Sequence, residues 1–158
     1  MNYYNSIAKG YGELYKEEQL QKLSIIKNNV KISKNAKILD VGCGTGISSD
    51  FDCFVVGLDP SIELISQSNN SAKLLAIAEY LPFKNNSFDY VISLTAIHNF
   101  IHINKSINEM KRVCSEKIII SVLNKSGKFN FIKKLIEKNL KVEKTIDEGK
   151  DTIFFCKK

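Results

Sequence analysis

Apolar positions along this chain follow two different spacings, and the switch between them predicts its elements. Over residues 13–29 they fall three or four apart. Leu20, Leu23, Ile26 and Val30 form one stripe, with Lys16, Glu17, Glu18, Lys22 and Lys27 on the rest of an amphipathic helix. Ahead of it Tyr4, Ile7 or Ala8, and Tyr11 also share one helical face, but Gly10 and Gly12 argue against a single long helix. Short, nearly continuous apolar runs then appear at 38–41, 54–58, 73–78, 88–94 and 117–123, the signature of strands buried on both faces.

Between these runs, helical segments are expected at 45–52 (no more than two turns), 61–68 and 104–114, with Pro60 in a first helical position. A basic amphipathic helix over 126–139 has Phe129, Ile132 and Ile136 on one side. Segments 142–146 and 152–156 read as a hairpin around Asp147-Glu148-Gly149-Lys150. Strands and helices that alternate in this way predict an α/β fold: a doubly wound, Rossmann-like, mostly parallel sheet of about seven strands. It ends in an antiparallel C-terminal hairpin and carries helices on both faces.

Composition narrows this reading further. With 158 residues, 44% of them hydrophobic, the chain suits one domain over 1–158, made of an N-terminal helical cap segment (1–30) and a sheet core (36–158). No apolar run approaches the ~18 residues of a membrane span, and the polar, Tyr-rich start is unlike a signal peptide, so a cytoplasmic protein with no membrane association is expected. Cys43, Cys53, Cys114 and Cys156 fit no CxxC spacing, which favours reduced thiols and no metal site. The formal net charge of +6 permits an anionic partner such as RNA.

Candidate chemistry gathers where strands end. The run Ile38-Leu39-Asp40-Val41 leads directly into Gly42-Cys43-Gly44-Thr45-Gly46, a turn whose glycines allow positive φ and let a ligand lie against the backbone. Nineteen positions past Asp40, the next run ends in Asp59, followed by Pro60-Ser61. A carboxylate there only accepts hydrogen bonds and matches the vicinal hydroxyls of a ribose. The spacing is GxGxG, whereas a nicotinamide dehydrogenase would carry GxGxxG.

With these two motifs and Ala78-Glu79-Tyr80-Leu81-Pro82-Phe83 leading to Ser87-Phe88-Asp89, the chain resembles the class I S-adenosylmethionine (SAM)-dependent methyltransferases of small, single-domain type, over roughly residues 3–123. The resemblance implies SAM as cofactor, with S-adenosylhomocysteine as product. It places Gly42, Cys43, Gly44 and Gly46 against the methionine and ribose, Asp40 near the methionine amino group, and Asp59 on the ribose. Pro60, Ala78, Glu79 and Leu94 would complete the cofactor site. Family members often bear an acidic residue just before the Ala of the third motif. Ile77 stands there, which leaves the Ala78 backbone as the adenine contact. Tyr4 and Tyr11 either fold over the cofactor, as in related enzymes, or pack outside the sheet.

Thr95, His98 and Asn99 follow the fourth strand, where a methyl acceptor would approach. His98 is either a general base or a residue that shapes the pocket. His98 and His102 would share a helical face, but no acidic or Cys neighbour completes a metal set. Ser93-Leu94-Thr95-Ala96 stands where enzymes acting on the adenine amino group or glutamine amide carry Asn/Asp-Pro-Pro-aromatic, which argues against those targets. The acceptor stays open between a small molecule, RNA and protein. An activating partner subunit and a non-catalytic SAM-binding accessory role are the alternatives.

Overall fold

The computed structural model describes the backbone of residues 2–158 and the side chains of residues 13–158. The chain divides into two units, Met1–Ile32 and Ser33–Lys158. The first is one helix, α1 (Asn2–Asn29). It runs straight through Gly10 and Gly12, where a break was expected. Each glycine costs only about 1 kcal/mol relative to alanine, too little to end a helix this long. Leu23 and Ile26 are buried, while Leu20 is 41% exposed because it stands about 120° around the helix from Ile26.

The second unit is the sheet. Its elements are β1 (Lys37–Val41), β2 (Phe54–Asp59), α2 (Ile62–Gln67), β3 (Ala72–Leu75), β4 (Phe88–Leu94), α3 (Ile103–Val113), β5 (Cys114–Leu123), α4 (Phe129–Asn139), β6 (Lys141–Asp147) and β7 (Asp151–Lys157). Among the described residues the strands lie in the order β3-β2-β1-β4-β5-β7-β6. The pairs from β3 to β5 are parallel, and β7 is antiparallel to both β5 and β6. The Rossmann-like architecture is therefore the one the apolar runs predict.

Several boundaries differ from expectation. Segment 45–52 forms one tight 3-10 turn, Ile47–Ser49. Pro60 lies outside α2, because Ser61 caps that helix by accepting from the Leu64 amide at 3.2 Å. β3 stops at Leu75, and β5 starts at Cys114, directly off the end of α3.

The chain leaves β1 toward β2 on one side and β4 toward β5 on the other. Right-handed crossovers put the two sets of connections on opposite faces and open a crevice at the carboxyl ends of β1 and β4. On one face α3 and α4 bury Ile107, Met110, Ile132 and Ile136 against Leu39, Val91, Ile118, Ile120 and Phe154. This apolar slab holds the strand ends in fixed relation. No helix among the described residues is long and apolar enough to cross a membrane.

Candidate functional site

The glycine turn leaves β1 and folds against β2, with the Gly42 and Cys43 amides both donating to the Leu58 carbonyl (2.7 and 3.0 Å). Gly42 has φ +77, and a Cβ there would stand 2.6 Å from the Ala96 Cβ beyond β4. The two sides of the crevice thus approach more closely than any residue with a side chain allows. Gly46 (φ +85) is as tight, since a Cβ would meet Ser68 Oγ at 2.6 Å. Cys43 turns its thiol toward β2, where a Cβ on Gly57 would lie 2.8 Å from Sγ, so its backbone faces the crevice. Burial pushes this thiol up to about 12.

Asp40, next to last in β1, and Asp59, last in β2, have distinct surroundings. Asp40 is fully buried. Its Oδ2 accepts from Ser48 Oγ (2.7 Å) and Ser49 Oγ (2.6 Å), while Oδ1 has no hydrogen-bond partner among the described residues. Burial raises its carboxyl to about 6, the two serine bonds pull it back and the nearby Asp59 adds to the rise. Asp59 is 7% exposed. Its Oδ2 accepts from the Gly44 amide and Oδ1 from the Ser61 amide, each at 2.9 Å, tying the glycine turn to the start of α2. Two of about four lone-pair sites on that carboxylate remain for a ligand.

A cavity of about 140 Å³ opens beside this turn, with Gly42, Pro60, Ile77, Ala78, Asn99 and Phe100 among its walls. It lies below the roughly 300 Å³ at which whole-ligand pockets begin, and suits one flat ring system. Glu79 braces it: Oε1 accepts from the Ile101 and His102 amides (2.8 and 3.0 Å), fastening the loop after β3 to the loop after β4. Further along, Arg112 donates to the Leu81 and Phe83 carbonyls and pairs through Nε and Nη2 with Glu109, which itself accepts from the Leu81 amide.

Past Leu94, which is buried, the chain turns at Thr95 with φ +53, a left-handed conformation rare for a β-branched residue. A buried network holds it there. The Thr95 amide donates to Ser121 Oγ (2.8 Å), and the Thr95 and Ser121 hydroxyls both donate to Asp151 Oδ2 (2.7 and 2.8 Å).

His98 sits in the following turn, Ile97–Asn99, half-buried, with Nδ1 enclosed and without a partner among the described residues. Burial lowers its pKa, with Lys128 acting in the same direction and Asp151 opposing. It lines neither the small cavity nor the larger groove described next. His98 and His102 do not share a helix, as His102 only precedes α3. Among the described residues no group of three or more His, Cys, Asp or Glu is gathered for a metal.

The larger groove has a volume of about 800 Å³, with Tyr80, Phe100, Ile101, Lys105, Lys128 and Phe131 among its walls. Phe100 and Ile101 belong to both spaces. Lys105 Nζ stands 3.1 Å from the centre of the Tyr80 ring, and Lys128 Nζ donates to the His98 carbonyl at 3.1 Å.

Of the residues singled out from sequence, Asp40, Gly42, Cys43, Gly44, Gly46, Asp59, Pro60, Ala78, Glu79 and Asn99 come together around the crevice. Leu94 and Thr95 form its far side. The side chains of Tyr4 and Tyr11 lie outside the described residues. Ser48, Ser49, Ser121, Asp151, Glu109 and Arg112 carry the supporting bonds and were not foreseen. Glu109 and Arg112 left a faint trace as an i,i+3 acid–base pair; the others left none.

A model of the family described as "Methyltransferase domain" matches residues 39–120. The uncharacterized protein MJ1252 of Methanocaldococcus jannaschii is 34% identical over 161 residues, covering 96% of this chain and 62% of that protein. The chain spans about six-tenths of the length of the first curated relatives it matches. Among solved structures, magnesium protoporphyrin IX methyltransferase from Synechocystis PCC 6803 with bound SAM superposes with a TM-score of 0.72 at 16% identity, covering 91% of this chain and 79% of that one. The complex between the Haloferax volcanii Trm112 methyltransferase activator and the protein described as a methyltransferase gives 0.76 at 13% identity, covering 95% and 94%. At these identities the two structures share the fold.

Proposed function

The chain belongs to the methyltransferase domain family, and from that premise we propose that it binds SAM at the glycine turn and transfers its methyl group to an acceptor at the mouth of β4. The observation that carries this reading is the lone oxygen of Asp40. A fully buried carboxylate with one unpartnered acceptor calls for a donor, and a water enclosed there, bridging to the methionine ammonium of SAM, supplies one. The residues present fit the rest of the molecule as well. Asp59 retains lone pairs for the ribose hydroxyls. The 140 Å³ cavity between Pro60, Ile77 and Ala78 suits the adenine, with the Ala78 amide in place of an acidic side chain.

Bound SAM would supply a methyl group activated by its positively charged sulfur, leaving as S-adenosylhomocysteine once the acceptor's lone pair has taken the methyl. What the chain adds is placement. Gly42 and Gly46 let the turn pack against Ala96 and Ser68 and so set the width of the crevice, and Glu79 keeps the adenine wall against the β4 mouth. The Ser121–Asp151 pair fixes Thr95 at that mouth. His98, half-buried in the turn that follows, lines neither cavity and serves to shape this mouth. Cys43 and Leu94 contribute backbone and apolar surface to the cofactor, and Asn99 an amide to the acceptor.

Calorimetric titration with SAM, S-adenosylhomocysteine and NAD tests this. Micromolar binding of the first two and none of NAD is expected; binding of NAD, or of none of the three, refutes it.

A second reading is that an activating partner completes the site, or that the chain binds SAM without turnover as the accessory subunit. It is supported by the absence of His98 from the walls of both cavities and by the likeness to a chain solved in complex with the Trm112 methyltransferase activator. It predicts methyl transfer only when a partner is added. Turnover by the isolated chain rules it out.

A further inference from the structure

The 800 Å³ groove is not explained by cofactor binding. We infer that it holds the methyl acceptor and selects a small amphipathic anion, an apolar or aromatic body bearing a carboxylate or phosphate. This deepens the methyl-transfer reading and rests on it.

Volume is the first argument. The groove falls within the roughly 300–1,000 Å³ of small-molecule sites, and it adjoins the small cavity through Phe100 and Ile101. The second is the surface left to water. Ile101 is 82% exposed, Tyr80 65% and Phe131 57%, and these apolar groups cluster around one concavity. Clustered, exposed apolar surface at a mouth marks a place that something apolar covers.

Charge sets the class. Two ammonium groups border the groove, and both are steadied by neutral partners. Lys105 lies over the Tyr80 ring and Lys128 bonds the His98 carbonyl. Neither partner cancels their charge. Glu109, one turn from Lys105 on α3, is engaged in the two-pronged pair with Arg112. No carboxylate lines the groove among the described residues. An anionic head is therefore attracted and a cationic acceptor repelled.

RNA, which is also anionic, fits less well. Single-stranded nucleic acid needs open aromatic faces for successive bases. One face of Tyr80 is taken by Lys105 and the neighbouring wall of Ile101 and Ile103 is aliphatic, which leaves Phe131 as the one widely exposed, uncovered ring in the groove among the described residues, too few for successive bases.

The test uses the isotopically labelled full chain, titrated with 2-naphthoate, its neutral counterpart 2-naphthamide, and a ten-residue oligouridylate. Amide shifts are followed by NMR, with SAM calorimetry on the same sample. Naphthoate is expected to shift the amides of residues 100–105 and 127–131 and to bind about five-fold or more tightly than the amide. In a Lys105→Gln, Lys128→Gln variant the two ligands bind within about two-fold of each other. Equal binding of both to the unaltered protein, shifts confined to other regions, or displacement of naphthoate by the oligonucleotide overturns the inference. If SAM still binds while naphthoate does not, the inference alone fails; if neither binds, the methyl-transfer reading fails with it.

Discussion

Asp40 gives the sharpest test of the cofactor site. Its carboxyl is raised from 3.8 to about 6, foremost by burial, so between those values the folded chain holds a proton that the unfolded chain has released. The sign follows from linkage. A carboxylate with a raised folded pKa favours the folded state at low pH, and that advantage is lost as pH rises from about 4 to 6. Two units correspond to roughly 3 kcal/mol, an upper bound on what the buried charge costs the ligand-free protein at neutral pH.

If the lone Oδ1 meets the SAM ammonium through a bridging water, binding favours the ionised form and the affinity tracks its population. A pKa of about 6 makes the apparent Kd at pH 5 about ten times that at pH 7, a difference of about 1.4 kcal/mol. Calorimetric titration from pH 5 to 7 measures this in a window where the ligand's own amino group stays protonated. His98 also has a lowered pKa, so the control is Asp40→Asn. That variant should bind SAM more weakly at neutral pH, lose most of the pH dependence, and yet melt at a higher temperature without ligand. Opposite movement of stability and affinity separates a binding charge from a structural one. A flat Kd in the unaltered protein, or an unchanged slope in the variant, refutes the assignment.

Asp59→Asn should weaken SAM binding by about ten-fold or more, since a charged acceptor for the ribose is worth about 1.5–3 kcal/mol; an unchanged Kd by calorimetry in a folded variant counts against that role. Gly42→Ala forces a side chain onto a positive φ and into the Ala96 Cβ at 2.6 Å. A loss of about 1–3 kcal/mol is expected, lowering the melting temperature by several degrees, and a neutral effect would mean the turn relaxes freely. Ser121→Ala strips the Thr95 amide of its acceptor and Asp151 of a donor, for a loss of about 1–3 kcal/mol in chemical denaturation. Glu79→Ala frees the Ile101 and His102 amides, which should then exchange hydrogen faster than their neighbours; unchanged protection would show that another group holds the loop.

Most of the sheet was legible because its strands are buried on both faces and so appear as unbroken apolar runs, each ending where polarity returns. Asp40 and Asp59 could be placed at the crevice because each stands where an apolar run ends, and the glycines because alternate spacing marks a sharp turn. What escaped depends on partners far along the chain. Asp151 looks like part of a polar hairpin turn until β7 inserts beside β5 and brings it under Thr95. Ser48 and Ser49 seem ordinary helix residues until a single 3-10 turn aims both hydroxyls at Asp40. The unbroken α1 was missed for a different reason: local preference at Gly10 and Gly12 was weighed without the length of helix that outweighs it.

The Thr95 lock also has a temporal side. Its acceptor comes from β7, whereas the glycine turn, Asp59 and every wall of the small cavity are encoded no later than residue 101. On a ribosome, the parts that would grip the cofactor therefore emerge well ahead of the part that sets the acceptor mouth. A nascent chain halted before Asp151 would possess a cofactor cradle without a finished reaction geometry, and competence would arrive only as the final hairpin docks.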